Sequence, residues 1–124
     1  MEQWQLDLHW LKIQHFVKDK FRTNDLPKQD TILFIIGLQE LGIMTKNLSL
    51  EQKLDITTSG TCQVLSLDGY FERAGLDKDG WIVWKQKKSI DVLDDSQKEF
   101  IIKQLIIKYF EDNYDIEEYE QMMH

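Results

Sequence analysis

Cysteine and proline are almost absent from this 124-residue chain, which has one of each and only six glycines. The lone cysteine, Cys62, excludes an intrachain disulfide and fits a reducing compartment, and we expect it to be a small buried hydrophobe. The longest apolar run, residues 32–38, is far shorter than the roughly 20 residues that span a bilayer. No secretory signal is visible at the N-terminus. We therefore expect a cytoplasmic protein with one folded domain and no membrane insertion.

Short catalytic and metal-binding motifs are also missing. The sequence has no His-Glu-x-x-His, no P-loop, no dinucleotide-binding glycine pattern and no Gly-x-Ser-x-Gly. Of the three histidines, His9 and His15 are six residues apart, which is a poor spacing for one helix face, and His124 is distant from both. The sequence therefore predicts no cofactor and favours a protein without catalytic activity. An enzyme is left open, because carboxylate chemistry has no short signature.

Positive charge is missing from residues 111–124, which contain six acidic residues and no lysine or arginine. Residues 1–110 are nearly neutral, with 16 acidic residues against 15 basic ones. Direct contact with nucleic acid is not expected, since binders of DNA or RNA show a basic excess. The acidic segment has three interpretations: a docking segment for a basic partner surface, an extension of helix four that folds back on helix one, or a solvated tail.

Apolar periodicity predicts a first helix at residues 3–21. Five apolar residues there follow one another at steps of three or four, as on one helix face: Leu6, Trp10, Ile13, Val17 and Phe21. Trp4, Leu8 and Leu11 widen this face beyond what packing in two layers requires.

Two further helices follow. Residues 27–41 are apolar almost all round in their middle, which is typical of an element buried on several sides. A third helix begins near Ser49, because Ser49 and Gln52 form a capping-box pattern. Its stretch at 57–62, TTSGTC, either breaks the helix or lets a neighbouring helix approach closely; we predict a continuous helix.

Residues 68–88 place short β-favouring runs around glycine and aspartate turns, which predicts a hairpin or an irregular excursion. A fourth helix is predicted from a capping box at Ser96 and Glu99 to about Asp112.

These elements predict a mainly α fold: a compact four-helix domain at residues 1–112, with a small β-hairpin or irregular excursion between helices three and four. Residues 113–124 form the acidic C-terminal segment.

The loop GLDKDGWIVW, residues 75–84, has part of the spacing of an EF-hand calcium loop. With Gly80 at loop position 6, Asp77 and Asp79 fall at ligand positions 3 and 5. Position 1 is then Gly75 and position 12 is Gln86, and neither supplies a carboxylate. We therefore predict a turn between two strands, which aspartate and glycine favour.

Five residues are candidates for contact with a protein partner. Tryptophan and tyrosine anchor many interfaces, and the candidates lie in the hairpin and in the acidic segment: Trp81, Trp84, Tyr114, Ile116 and Tyr119. The basic run at 85–88 beside the tryptophans is interpreted as a solvated turn, since nucleic acid is not an expected partner.

The sequence resembles an uncharacterised family of small cytoplasmic proteins of the Bacteroidota. The resemblance rests on LFIIGLQELG at 33–42, EQKLDI at 51–56, GYFERAGLDKDGWIVW at 69–84 and KYFE at 108–111. Histidines commonly follow two of these segments in the family, where Thr57 and Val83 stand here. The resemblance implies a bacterial cytoplasmic origin and no particular reaction.

The leading hypothesis is a non-enzymatic interaction module, an accessory or adaptor subunit of a larger bacterial assembly. Its partner would be another protein, possibly one with a basic surface, or a second copy bound through helix one. The alternative is a small ligand-binding protein or enzyme with a pocket under the hairpin, lined by Glu40, Asp77 or Asp79.

Overall fold

Five helices and one hairpin form the fold in the computed structural model, which describes residues 2–44 and 47–122 apart from the side chain of Glu120. In chain order the elements are α1 (Gln3–Phe21), α2 (Gln29–Leu41), α3 (Leu50–Ser66), β1 (Phe71–Leu76), β2 (Ile82–Gln86), α4 (Asp95–Asn113) and α5 (Ile116–Met122). The prediction of a mainly helical fold with a hairpin between the third and fourth helices is confirmed. His124 lies outside the described residues.

Helix α1 has the bounds that its apolar spacing predicts. At its start, the side chain of Gln5 accepts a hydrogen bond of 2.9 Å from the backbone N–H of Glu2, and its end is marked by Arg22 in the left-handed conformation. The residues that α1 buries are Leu6, Trp10, Ile13, Phe16 and Val17. They pack against α2 and α4 in one core, which also takes in Ile116 of α5.

Helices α2 and α3 pack against each other more extensively than any other pair of helices in the described chain. A Cβ at Gly60 would overlap the carbonyl oxygen of Leu33, and a Cβ at Gly37 would overlap that of Ile56. The two glycines therefore let the backbones touch directly. Helix α3 runs without a break through residues 57–62, which confirms the prediction of a continuous helix.

Helix α4 starts earlier than predicted, and the proposed capping box of Ser96 and Glu99 is wrong. The N-cap is Asp94, whose carboxylate accepts a hydrogen bond of 2.8 Å from the backbone N–H of Gln97. The Gln97 side chain in turn accepts from the backbone N–H of Asp94 at 3.0 Å. An aspartate cap is favoured here because it also places negative charge at the positive end of the helix dipole.

Strands β1 and β2 pair antiparallel, from Phe71 opposite Gln86 to Leu76 opposite Ile82. The register shifts between Arg73 and Leu76, which marks a bulge. After the hairpin, α4 returns through the core, and the short α5, which was not predicted as a separate helix, lies against α1.

Candidate partner-binding surface

The aspartate–glycine loop between β1 and β2 is a turn, as predicted. Asp77 Oδ1 accepts hydrogen bonds of 2.9 Å from the backbone N–H groups of Asp79 and Trp81, and Gly80 has a positive φ of 85°. The Asp77 carboxylate thus stabilises the turn in which it lies. Among the described residues, no group of three histidine, cysteine, aspartate or glutamate side chains is placed to hold a metal ion.

The half-buried Trp84 fastens the hairpin to the helices. Its indole Nε1 donates a hydrogen bond of 3.3 Å to Ser59 Oγ on α3, and the guanidinium of Arg73 lies 5.7 Å from its ring centroid. Trp81 is also half-buried and sits at the end of the turn. In the basic run, Lys87 pairs with Glu72 at 3.4 Å. A partner-binding role for the two tryptophans stays a prediction.

Glu40 is part of a polar network that joins α2, α3, the hairpin and α4. The Tyr109 hydroxyl donates a hydrogen bond of 3.1 Å to Glu40 Oε1, and Arg73 Nη2 lies 3.5 Å from Glu40 Oε2. The same Arg73 nitrogen donates to Gln63 Oε1 at 3.1 Å. Burial, and next the negative charge of Glu40, raise the pKa of Tyr109, so this hydroxyl stays protonated and keeps its role as donor.

This network connects the hairpin to the helices. Both Glu40 oxygens have partners, and no buried side-chain nitrogen or oxygen in the described chain lacks one. Asp77 and Asp79 lie in the turn of the hairpin, where Asp77 bonds its own loop. The two cavities that we describe below contain none of these three carboxylates.

Cys62 is buried in α3, as expected for a small apolar residue. Burial raises the pKa of its thiol, so the reactive thiolate is disfavoured at neutral pH.

Tyr114, Ile116 and Tyr119 of the C-terminal segment point inward. Tyr114 and Tyr119 pack on the ring of Phe16, with centroids 5.3 Å and 5.2 Å away, and Ile116 is buried in the core. The Tyr119 hydroxyl donates to the Asp19 carboxylate; burial first, and then this acceptor, raise the pKa of Tyr119 to about 12. The segment thus folds back on α1, one of the three arrangements that its sequence left open. A partner-binding role for these three residues stays a prediction.

Four carboxylates of α4, α5 and the turn between them border an open cavity of about 710 Å³ that α1 also lines. We call this cavity the acidic groove. Its charged and imidazole side chains are His9, Lys12, Glu111, Asp112, Asp115 and Glu117. Glu111 lies 3.7 Å from His9, and Asp112 pairs with Lys108 at 3.3 Å. A second open cavity, of about 340 Å³, lies near Trp10 and Lys28 and has lysines and carboxylates in its lining.

Beside the acidic groove, α1 has a second apolar face that no other described element covers. Trp4 is 64% exposed, Leu8 45% and Leu11 43%. These residues stand at i, i+4 and i+7, so they form one continuous line along the helix. We call this line the α1 stripe.

The α1 stripe was visible in the sequence as the extra width of the first helix's apolar face, yet its residues were not among the predicted site residues. Spacing shows that a helix has two apolar faces, but it does not show which face the other helices cover. Single exposed apolar residues are normal on soluble proteins, and the described chain also has an exposed pair at helical spacing outside α1. This pair, Leu50 and Leu54, lies on the first turns of α3.

No protein-family model matches the chain, and neither a curated protein nor a solved structure is significantly similar to it. The resemblance to the Bacteroidota family therefore stays a prediction. Within the described residues, no helix combines the length and the apolar character needed to cross a membrane.

Proposed function

We propose that this protein is a non-enzymatic interaction module, an accessory or adaptor subunit of a larger bacterial assembly. The observation that supports this proposal is the α1 stripe, where Trp4, Leu8 and Leu11 are exposed side by side on one helix face. Contiguous exposed apolar surface is typical of interaction sites.

The composition of the stripe suits an interface. Tryptophan is the residue type most enriched among those that dominate binding energy, and Trp4 is the most exposed member of the stripe. Fully burying a large apolar side chain is worth roughly 1.5–3 kcal/mol. Each stripe residue is already partly buried, so covering the three would contribute less than that per side chain.

The proposal is tested by affinity capture from bacterial lysate with three forms of the protein. These are the unmodified chain, a stripe variant with Trp4→Ala, Leu8→Ala and Leu11→Ala, and a control variant with Leu50→Ala and Leu54→Ala. The control removes exposed leucines from a different helix. We expect a stoichiometric partner with the unmodified chain and with the control, and its loss with the stripe variant.

Circular dichroism and thermal unfolding of all three forms would verify that the substitutions leave the fold intact. Capture of the same partner by the stripe variant, or of no partner by any form, would contradict the proposal.

The alternative of a small-molecule pocket under the hairpin has less support. Glu40 accepts a hydrogen bond from Tyr109 and pairs with Arg73, so one of the three carboxylates expected to recognise a ligand already has protein partners.

A further inference from the structure

We propose that the α1 stripe and the acidic groove form one docking surface, and that its occupant is an amphipathic helix of a partner protein with lysine or arginine along one flank. This inference rests on the proposed function and adds the chemistry of the partner.

The stripe and the groove are neighbours on α1. Leu8 belongs to the stripe, while His9 and Lys12 line the groove. Lys12 follows Leu8 by four residues and His9 by three, which are the spacings of side chains that adjoin on a helix surface. A partner that covers the stripe therefore reaches the groove along its edge.

The groove carries an excess of negative charge. Among the described residues that line it, four are carboxylates, Glu111, Asp112, Asp115 and Glu117, and one is a lysine. Glu111 and Asp112 stay about half exposed in spite of their contacts with His9 and Lys108. A row of basic side chains on the partner would complement the negative charge of the groove. It would also raise the rate of association at low salt.

A second copy of this chain is a poor match for the same surface. In a two-fold dimer the same patch lies on both sides of the interface, and a dimer that closes the stripe with its two α1 helices antiparallel would bring two acidic grooves together. Like charges placed against each other in an interface are costly. An anionic membrane surface would be repelled for the same reason.

The shape of the stripe fits a helix. Its three side chains extend over two turns of α1, about 10 Å along the axis at 1.5 Å per residue. An amphipathic helix offers apolar side chains at i, i+3, i+4 and i+7 to such a surface. Its flanking basic residues would then lie over the groove, whose volume of about 710 Å³ has room for several long side chains.

The test is selection from a display library of helical peptides that vary in both apolar spacing and charge. The targets are the unmodified chain, the stripe variant, and a groove variant with Glu111→Gln, Asp112→Asn and Glu117→Gln. Asp115 is kept, because its carboxylate accepts the backbone N–H of Glu118 at the start of α5. A control with Glu51→Gln, Asp55→Asn and Asp68→Asn removes the same charge from exposed positions elsewhere.

We expect the peptides enriched on the unmodified chain to have helical apolar spacing and a net positive charge. Measured by fluorescence anisotropy, their affinity should fall about tenfold or more with Trp4→Ala alone, at least about threefold with the groove variant, and little with the control. Raising the salt from about 50 mM to about 500 mM should weaken binding to the unmodified chain more than to the groove variant.

The outcomes separate this inference from the proposed function. Peptides that need the stripe but are neutral or acidic, or that bind the groove variant equally well, would overturn the basic-helix inference and leave the interaction module in place. A dimer that the stripe variant converts to a monomer would identify a second copy as the occupant, and this would also overturn it. If no peptide depends on the stripe, the docking surface itself is refuted.

Discussion

At Gly37 and Gly60, the absence of a side chain determines how closely α2 and α3 approach. The carbonyl oxygens of Ile56 and Leu33 occupy the space that a Cβ would need. Both obstacles are backbone atoms, so they cannot move away by a change of rotamer. The usual penalty for glycine inside a helix, about 1 kcal/mol relative to alanine, is therefore offset here by direct contact between two helices.

Gly60→Ala tests this balance, because helix propensity and packing predict opposite signs. Alanine favours the helix by about 1 kcal/mol, whereas forcing an extra methyl group into a packed contact typically costs about 1–3 kcal/mol. We expect the packing term to prevail, with a net loss of up to about 2 kcal/mol in the free energy of unfolding, measured by urea denaturation. Thr58→Ala, at an exposed position of the same helix, is the control and should be neutral or slightly stabilising. A stabilised Gly60→Ala variant would show that α2 and α3 can separate at little cost.

At the scale of elements, local sequence predicted most of the helices because their starts and faces are local properties. The capping box of Ser49 and Gln52 begins α3 as expected, and the apolar spacing of α1 gave its bounds. Helix α4 differs because two capping patterns overlap, Asp94 with Gln97 and Ser96 with Glu99. Spacing alone does not show which of the two patterns caps the helix. In the structure the capping box is that of Asp94 and Gln97.

The two candidate caps of α4 can be compared directly. Asp94→Ala removes the acceptor of the Gln97 backbone N–H and should lower the free energy of unfolding by about 1 kcal/mol. Ser96→Ala alters an exposed residue inside the first turn and should change it by less than about 0.5 kcal/mol. Thermal or urea unfolding of both variants provides the measurement. A larger effect at Ser96 than at Asp94 would restore the later start of the helix.

At the scale of the whole molecule, α5 completes the core on one side and positions the acidic groove on the other. The sequence of this segment alone did not predict that it packs into the core. The spacing of Tyr114, Ile116 and Tyr119 among carboxylates fits a docking segment, a tail or a short helix equally well. What distinguishes these possibilities is the fit of the two tyrosine rings around Phe16, which is a contact between residues about 100 positions apart in the sequence. The sequence likewise does not predict that the α1 stripe is exposed, because this depends on which faces of α1 the other helices cover.

If α5 belongs to the fold, Ile116→Ala must destabilise the whole protein. Ile116 is buried at 9% exposure, whereas Met122, near the end of the same helix, is 77% exposed. Isoleucine-to-alanine changes in a core cost about 2–5 kcal/mol, and we expect the lower end of this range because Ile116 lies at the edge of the core. Met122→Ala should cost less than about 0.5 kcal/mol. Urea unfolding measures both. Equal stability of the two variants would mean that α5 does not pack against α1 in solution, and the groove carboxylate Glu117 would then have no fixed position beside the α1 stripe.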